Sequence, residues 1–507
     1  MGIRLLIGVC YYETVDLPDA LLKNGVVEFC FNAHCYNEDA AFDTPNNIHF
    51  PRNIAKTANY SAYCDMNEVP ALSEEDIKAM NKYLPMALNI SQRITNFPIN
   101  VWEEEKFKAY AHWRFWKHII IKHKINAVFF EQYPHSRPYH WFIYGLAREM
   151  NIPILMLSYC DFKNRYTYGE SIESQGLAIE KYYETVAKSM RPDECILEGT
   201  MRDEFERLQH LESDIVMKPE YAKMRLQETI KIMYGKHLSP MHFWIPYRLL
   251  FRKIFGMRIK NLSGGRRTDR SDAFEAFQRE RRLDRRIQDY LRHDAAFLKD
   301  YNKIAEDPDY NERYIFYGLQ LTPEGTTFPL GGSFCDQITS IQLLARAAEK
   351  CGVKVYVKEH FIQAFRSKWF YEAIKQIKNV RLIKNGIPSI ELMKNCLAVS
   401  TQTGYCMVES AFLGKPALIT SECSICRKLP NVFLVHDEEQ CEEIICSLLK
   451  GFSFDLNDVK RFFYAVQENT IYGAGRNGWD DIKLVNEKEY WKGLQSEVDF
   501  ISQYFSG

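Results

Sequence analysis

Apolar residues fall along this chain in short blocks separated by polar, turn-forming stretches, and the blocks alternate between two spacings. Unbroken apolar runs read as strands buried on both faces, and apolar positions three and four apart read as helices packed along one side. Tyr314–Leu319, Val353–Val357, Val380–Ile383, Leu397–Ser400 and Ala417–Thr420 are predicted strands. Between them, Ile341, Leu344, Ala345 and Ala348, then Phe370, Ala373, Ile374 and Ile377, then Ile387–Lys394 and Val408–Phe412, carry the helical spacing. Strand and helix in this regular succession predict a parallel, doubly wound sheet.

The same succession opens the chain more sparsely. Ile3–Val9 reads as a strand followed by a turn-rich stretch through Pro51; Ile125–Phe130 reads as a strand, Tyr139–Met150 as a helix and Ile152–Leu157 as a strand. From Tyr166 to Asp309 the period turns mainly helical, with high charge. At 507 residues the chain is too long for one hydrophobic core. The expected fold class is therefore α/β: a Rossmann-like lobe at 1–165, a mainly helical insertion or connector at 166–309, a second Rossmann-like lobe at 310–455, and a helical tail at 456–507 that packs back across both.

Composition narrows the function classes. With 46% apolar and 26% charged residues the chain is neither disordered nor fibrous. A formal charge of -1 argues against a general nucleic-acid binder, which needs a basic excess to replace phosphate counterions. The start, MGIRLLIGVC, lacks the layout of a signal peptide, and no apolar run approaches the roughly 20 residues that span a bilayer, so a cytoplasmic protein is expected. The cysteines lie scattered in apolar runs, as reduced, buried thiols do. Cys423 and Cys426 form a C-x-x-C that lacks a second pair at matching spacing and reads as coincidence rather than a zinc or redox site. Met241–Leu250 is aromatic and apolar, and Phe251–Arg267 carries six basic residues and no acid. Two readings stay open there: a contact with the inner membrane surface through 241–267, and a solvated connector beside a buried helix.

Open parallel sheets bind ligands beyond the carboxyl ends of their strands, so the candidate chemistry is sought there. After Tyr314–Leu319 come Glu324, Thr326 and Thr327; after Val353–Val357 come Lys358 and His360; after Leu397–Ser400 come Thr401, Gln402, Thr403 and Gly404, with Glu409 on the next helix. Hydroxyls and backbone amides from Ser400 to Gly404, ahead of a helix, suit a phosphate. Glu409 suits the hydroxyls of a ribose. Lys358 and His360 are expected to bring positive charge and a hydrogen-bond donor to a departing nucleotide. Neither a Walker lysine motif nor G-x-G-x-x-G opens any unit, which counts against ATP or dinucleotide binding.

Three ordered strings, PEGTTFPLGGSFCDQ, the strand ending VKEH, and TQTGYCMVESAFLGKP, resemble the capsule polysaccharide biosynthesis family, which includes bacterial transferases of the sugar acid Kdo. The resemblance covers roughly 310 to 425 and extends faintly to Phe129–Leu157. It implies a GT-B glycosyltransferase whose C-terminal lobe holds a nucleotide-sugar donor and whose N-terminal lobe receives a glycan or glycolipid acceptor. Many members use CMP-linked donors and end the strand matching Val353–His360 in a His-Pro pair; here Phe361 follows His360, which leaves the nucleotide open.

The expected reaction uses no cofactor beyond the nucleotide sugar as co-substrate and no obligatory metal, since no Asp-x-Asp cluster stands at a strand end. Its general base is sought in the first lobe, where Glu131, His135 and Asp161 lie near strand ends, with His135 or Asp161 favoured. Two rivals stay open: a non-hydrolysing nucleotide-sugar epimerase, and a non-catalytic component of polysaccharide assembly or export.

Overall fold

The computed structural model describes residues 2–9, 16–25, 27–35, 44–95, 102–160, 162, 165–211, 295–296, 298–322, 324–360, 363, 366–473 and 487–506. Asp161 and the 241–267 segment lie outside the described residues.

The strands in chain order are β1 Ile3–Val9, β2 Val27–Cys35, β3 Asn47–Pro51, β4 Ala127–Phe130, β5 Ile154–Tyr159, β6 Arg165–Gly169, β7 Ala295–Ala296, β8 Tyr314–Gly318, β9 Lys354–Lys358, β10 Arg366–Ser367, β11 Val380–Ile383, β12 Ala398–Thr401, β13 Ala417–Ile419, β14 Val432–Leu434 and β15 Ile471–Tyr472. They build two large sheets, ordered β15-β6-β5-β4-β1-β2-β3 and β11-β9-β8-β12-β13-β14, and a small β10-β7 pair. The second sheet is parallel throughout. Counted from β8, its order is 3-2-1-4-5-6, the Rossmann arrangement. The first sheet repeats 3-2-1-4-5 in β1 to β5, all parallel, and adds β6 and β15 antiparallel at one edge. The fold is α/β with two Rossmann-like lobes.

Each sheet is covered on both faces, because parallel strands buried on two sides need apolar cover on each. In the first lobe, one face packs Met80, Trp113, Trp116 and Phe142 from the helices Glu74–Thr95, Trp102–Lys122 and Pro138–Glu149. The other face takes Leu17 and Leu21, together with Leu494, Val498 and Ile501 of Glu487–Ser506. In the second lobe, Gln337–Lys350 and Glu438–Leu448 cover one face. Asp336 and Asp437 cap these two helices by accepting from Ile338 N (3.0 Å) and Gln440 N (2.8 Å). The opposite face is covered by Leu177–Thr185, Gly199–Gln209, Cys406–Phe412 and Leu456–Glu468.

Several elements depart from expectation. The stretch read as turn-rich contains β2 and β3, whose apolar runs are broken by Glu28, Asn32 and His49; Asn32 is nonetheless buried. Arg165–Gly169, at the border of the expected connector, completes the first sheet as β6, and the described helices after it pack on the second lobe. The tail, expected to be helical, also carries a strand: β15 joins the first sheet, Glu487–Ser506 packs on the first lobe and Leu456–Glu468 on the second.

Candidate functional site

A 3-2-1-4-5-6 sheet opens a crevice where its winding reverses, here between β8 and β12. The loops leaving these two strands meet at that point. The Thr403 hydroxyl lies 3.0 Å from the Thr326 carbonyl oxygen, which it reaches as donor. Thr326 donates its hydroxyl to Glu324 Oε2 (2.5 Å), and Thr327 donates to the Leu321 carbonyl (2.9 Å). Gln320 links the loops. Turned to suit the two amides, its side-chain oxygen accepts from Thr403 N (2.7 Å) and Gly404 N (2.7 Å), while its nitrogen donates to Gln402 Oε1 (3.1 Å). Thr401 Oγ1 shares the Gly404 amide at 3.1 Å.

This geometry brings Glu324, Thr326, Thr327, Thr401, Gln402, Thr403 and Gly404 into one rim, with three corrections to the expected roles. The Thr403 and Gly404 amides are not open, because buried N–H groups need acceptors and Gln320 supplies one. Ser400 lies inside β12, 3% exposed, on the same side of the strand as Ala398 and away from the rim. His360 does not supply charge: burial, with Arg366 and Lys358 beside it, pushes its imidazole down to about 3, so it is neutral at neutral pH. Lys358 is buried and donates to Ser389 Oγ (2.9 Å), one strand out from the crevice. Glu409 sits in the first turn of Cys406–Phe412, close enough to Arg207 that, after Glu204 and Tyr405, it helps hold that guanidinium's pKa up against the lowering effect of burial.

Across from the rim stands His135, in the loop between β4 and Pro138–Glu149. A Cβ on Gly325 would come within 2.7 Å of His135 Cδ2 and 2.9 Å of the Tyr133 hydroxyl, so glycine is what lets the two loops meet. His135 Nδ1 lies 2.7 Å from the Tyr133 carbonyl, which can only accept. Nδ1 therefore carries the proton and Nε2 the lone pair, with Ser136 Oγ 3.5 Å away.

No family model matches the chain. No curated protein matches it either. Among solved structures it is similar to KpsC of Thermosulfurimonas dismutans, a beta Kdo 2,4 transferase, at 13% identity over 73% of this chain and 87% of that one, with a TM-score of 0.29. It is also similar to a UDP-GlcNAc 2-epimerase from Neisseria meningitidis bound to UDP-GlcNAc, at 12% identity over 100% of each chain and a TM-score of 0.25. A glycosyltransferase from Rickettsia africae is similar at 10% identity over 99% and 98%, with a TM-score of 0.25. Scores this low carry no argument, and the fold rests on the strand orders above.

Sequence reasoning missed the polar network beneath the rim. Arg366 Nε and Nη2 grip the two Glu359 carboxylate oxygens at 2.7 and 3.2 Å, and Tyr371 donates to the same carboxylate. Burial lowers the Arg366 pKa, but Glu359 more than offsets it and holds the guanidinium above its ordinary value. Arg366 also donates to the Gln320 carbonyl (2.9 Å), Gln337 Oε1 accepts from Gln320 N (2.7 Å), and Gln363 clasps Thr322 through both its amide atoms (2.9 and 2.7 Å). The available signal was Glu359, a carboxylate directly after a buried strand, which demands a cation partner. The C-x-x-C is apolar filling: Cys423 packs in the first lobe's core and Cys426 in the second's, and burial pushes the Cys423 thiol up to about 12.

Proposed function

We propose that this chain is a GT-B glycosyltransferase that moves a sugar from a nucleotide-sugar donor, seated at the β8–β12 crevice, to a bacterial surface glycan or glycolipid presented by the first lobe at the inner membrane face. The observation that carries the reading is the meeting of the Glu324–Thr327 and Gln402–Gly404 loops at one switch point, with an imidazole from the other lobe against Gly325. Donor phosphate would take the Thr403 and Gly404 amides as Gln320 turns aside, and Glu409 would take the ribose.

In the proposed step, His135 Nε2 removes the acceptor hydroxyl's proton, the oxygen bonds to the anomeric carbon, and the bond from that carbon to phosphate breaks, the electron pair leaving with the nucleotide. The rim's hydrogen-bond donors would offset the charge on the departing phosphate, without an obligatory metal. The first test is thermal shift with CMP, UDP and GDP, where at least one should stabilise the protein. A nucleotide sugar that binds and is isomerised without any acceptor would make the chain an epimerase; binding by none of the three would remove the donor site.

A further inference from the structure

Two thiols that lie 95 residues apart in the sequence meet on the second lobe. Cys351 follows the end of Gln337–Lys350, Cys446 lies in the last turn of Glu438–Leu448, and their sulfurs stand 2.8 Å apart. Both helices cover the same face of the parallel sheet. Their register is held by Lys350, whose Nζ lies 2.9 Å from Glu438 and 2.8 Å from Glu442, and by Arg346, whose Nε lies 2.7 Å from Glu438. A helix that connects parallel strands runs opposite to them. The two helix ends, and the thiols with them, therefore lie at the edge of the sheet away from the β8–β12 rim.

Other cysteines have different surroundings. Cys30, Cys396 and Cys406 turn their sulfurs toward the backbone carbonyls of Pro18, Met393 and Gly404. Cys423 and Cys426, close in sequence, pack in separate cores. Cys351 and Cys446 face each other, and both are half-buried rather than sealed, so a small solute can reach them. Burial, followed by the hydrogen bond to Cys446, pushes the Cys351 thiol up to about 12, so it keeps its proton at neutral pH and directs it at the Cys446 sulfur. The gap that separates the two sulfurs from a bond of about 2.05 Å is about 0.8 Å.

We propose that Cys351 and Cys446 form a reversible disulfide clasp between the two outer helices of the second lobe, closed by a peroxide and opened by a thiol reductant. In closing, the Cys446 sulfur gives up its proton and attacks one peroxide oxygen; the O–O bond breaks, a sulfenic acid forms and one water leaves. The Cys351 sulfur then displaces the sulfenic oxygen as a second water, and the S–S bond forms. Two thiols lose two electrons, and one peroxide is reduced to two waters that carry off both thiol protons. The new bond closes a long loop of chain, and such a cross-link stabilises by removing conformations from the unfolded state. Lying at the edge opposite the rim, the clasp firms the lobe and leaves the proposed nucleotide site unchanged. It does not depend on the transferase reading.

The test treats the full chain, reduced and desalted, with hydrogen peroxide. Thiols counted in denaturant should fall by two from the fourteen of the reduced chain, and peptide mapping should join Cys351 to Cys446. The melting temperature should rise by about 5 °C or more, and dithiothreitol should reverse all three changes. Cys351→Ser and Cys446→Ser should each abolish the cross-link and the rise. A chain that keeps all its thiols, a bond from Cys446 to the buried Cys441, sulfinic acid at Cys446 without a cross-link, or a rise that survives in both variants overturns the clasp. Affinity for CMP, UDP and GDP should stay within about twofold on oxidation; a larger change overturns its independence of the rim.

Discussion

The two lobes share a strand order and differ in what their rims are made of. In the second, buried amides and a bidentate ion pair hold the backbone of the loop after β8: Gln337 and Arg366 grip Gln320, Gln363 grips Thr322, and Glu359 anchors Arg366. In the first, the ground beneath the loop after β4 is rings. Tyr60 stacks on Phe115 at 3.9 Å, Trp116 on Tyr139 at 6.0 Å, and His112 opens from this aromatic mass into a cavity of about 140 Å³. A satisfied polar network fixes one geometry, because each buried group that loses its partner costs free energy. Ring packing around a cavity holds shape while leaving space. On the proposed transferase reading, the fixed side would hold the donor's phosphate and the roomier side the acceptor.

Breaking the fixed side should cost most. Arg366→Ala leaves the Glu359 carboxylate buried without its cation and should lower unfolding free energy by about 3–5 kcal/mol, read as a reduced urea midpoint. Arg366→Met with Glu359→Leu should recover most of that loss, since the pair is replaced by apolar groups of similar size. If the single variant unfolds like the native chain, the network does not hold the rim. On the other lobe, His135→Gln should reduce transfer by roughly 10²–10⁴ while nucleotide affinity and melting temperature hold. Turnover within threefold of the native chain would pass the base role to another group.

The second lobe was the more legible of the two, for a physical reason. β8, β9, β12 and β13 are inner parallel strands of short, mainly apolar sequence, and each is followed closely by a helical stripe or a turn, so strand and helix alternate visibly along the sequence. β2 is harder to see, because VEFCFNAHC carries Glu28 and Asn32 inside its apolar run, and Asn32 is buried all the same. β6 and β15 lie at an antiparallel edge whose pairing spans about three hundred residues of chain, which no local pattern encodes. At the site, Glu324, Thr326, Thr403 and Gly404 could be read because each follows a strand directly. Gln320 and Arg366 could not, since their meaning lies in partners from other strands: Gln320 in Thr403 and Gly404, Arg366 in Glu359.

Acid should weaken both lobes through histidines that burial holds neutral, with the large shifts at His112 in the first and His360 in the second. An imidazole titrates near 6.5 in the unfolded chain, whereas His112 in the first lobe and His360 in the second sit at about 3 when folded. The unfolded state therefore binds more protons between these values. The stability tied to these groups is complete above 6.5 and is lost as pH falls toward 3, by on the order of 2 kcal/mol per histidine at pH 5. His360→Gln should make the drop in urea midpoint from pH 7 to pH 5 shallower; an unchanged drop would mean that His360 is not held neutral.

The smallest effect tests the cradle most directly, because its expected sign runs against intuition. Gln320 is held in place through its backbone by Gln337 and Arg366, so Gln320→Ala keeps the loop and removes the side-chain oxygen on the Thr403 and Gly404 amides together with the nitrogen that donates to Gln402 Oε1. Without that acceptor, the Thr403 amide loses its partner in the empty protein while Gly404 keeps Thr401 Oγ1, at a cost of about 1–3 kcal/mol. A donor phosphate that takes their hydrogen bonds no longer has to displace Gln320. Nucleotide affinity measured by calorimetry should therefore rise, by a few-fold to about tenfold, as the melting temperature of the unliganded protein falls. If affinity falls with stability, the Gln320 carboxamide is part of the nucleotide's own contact set, and the phosphate is held elsewhere on the rim.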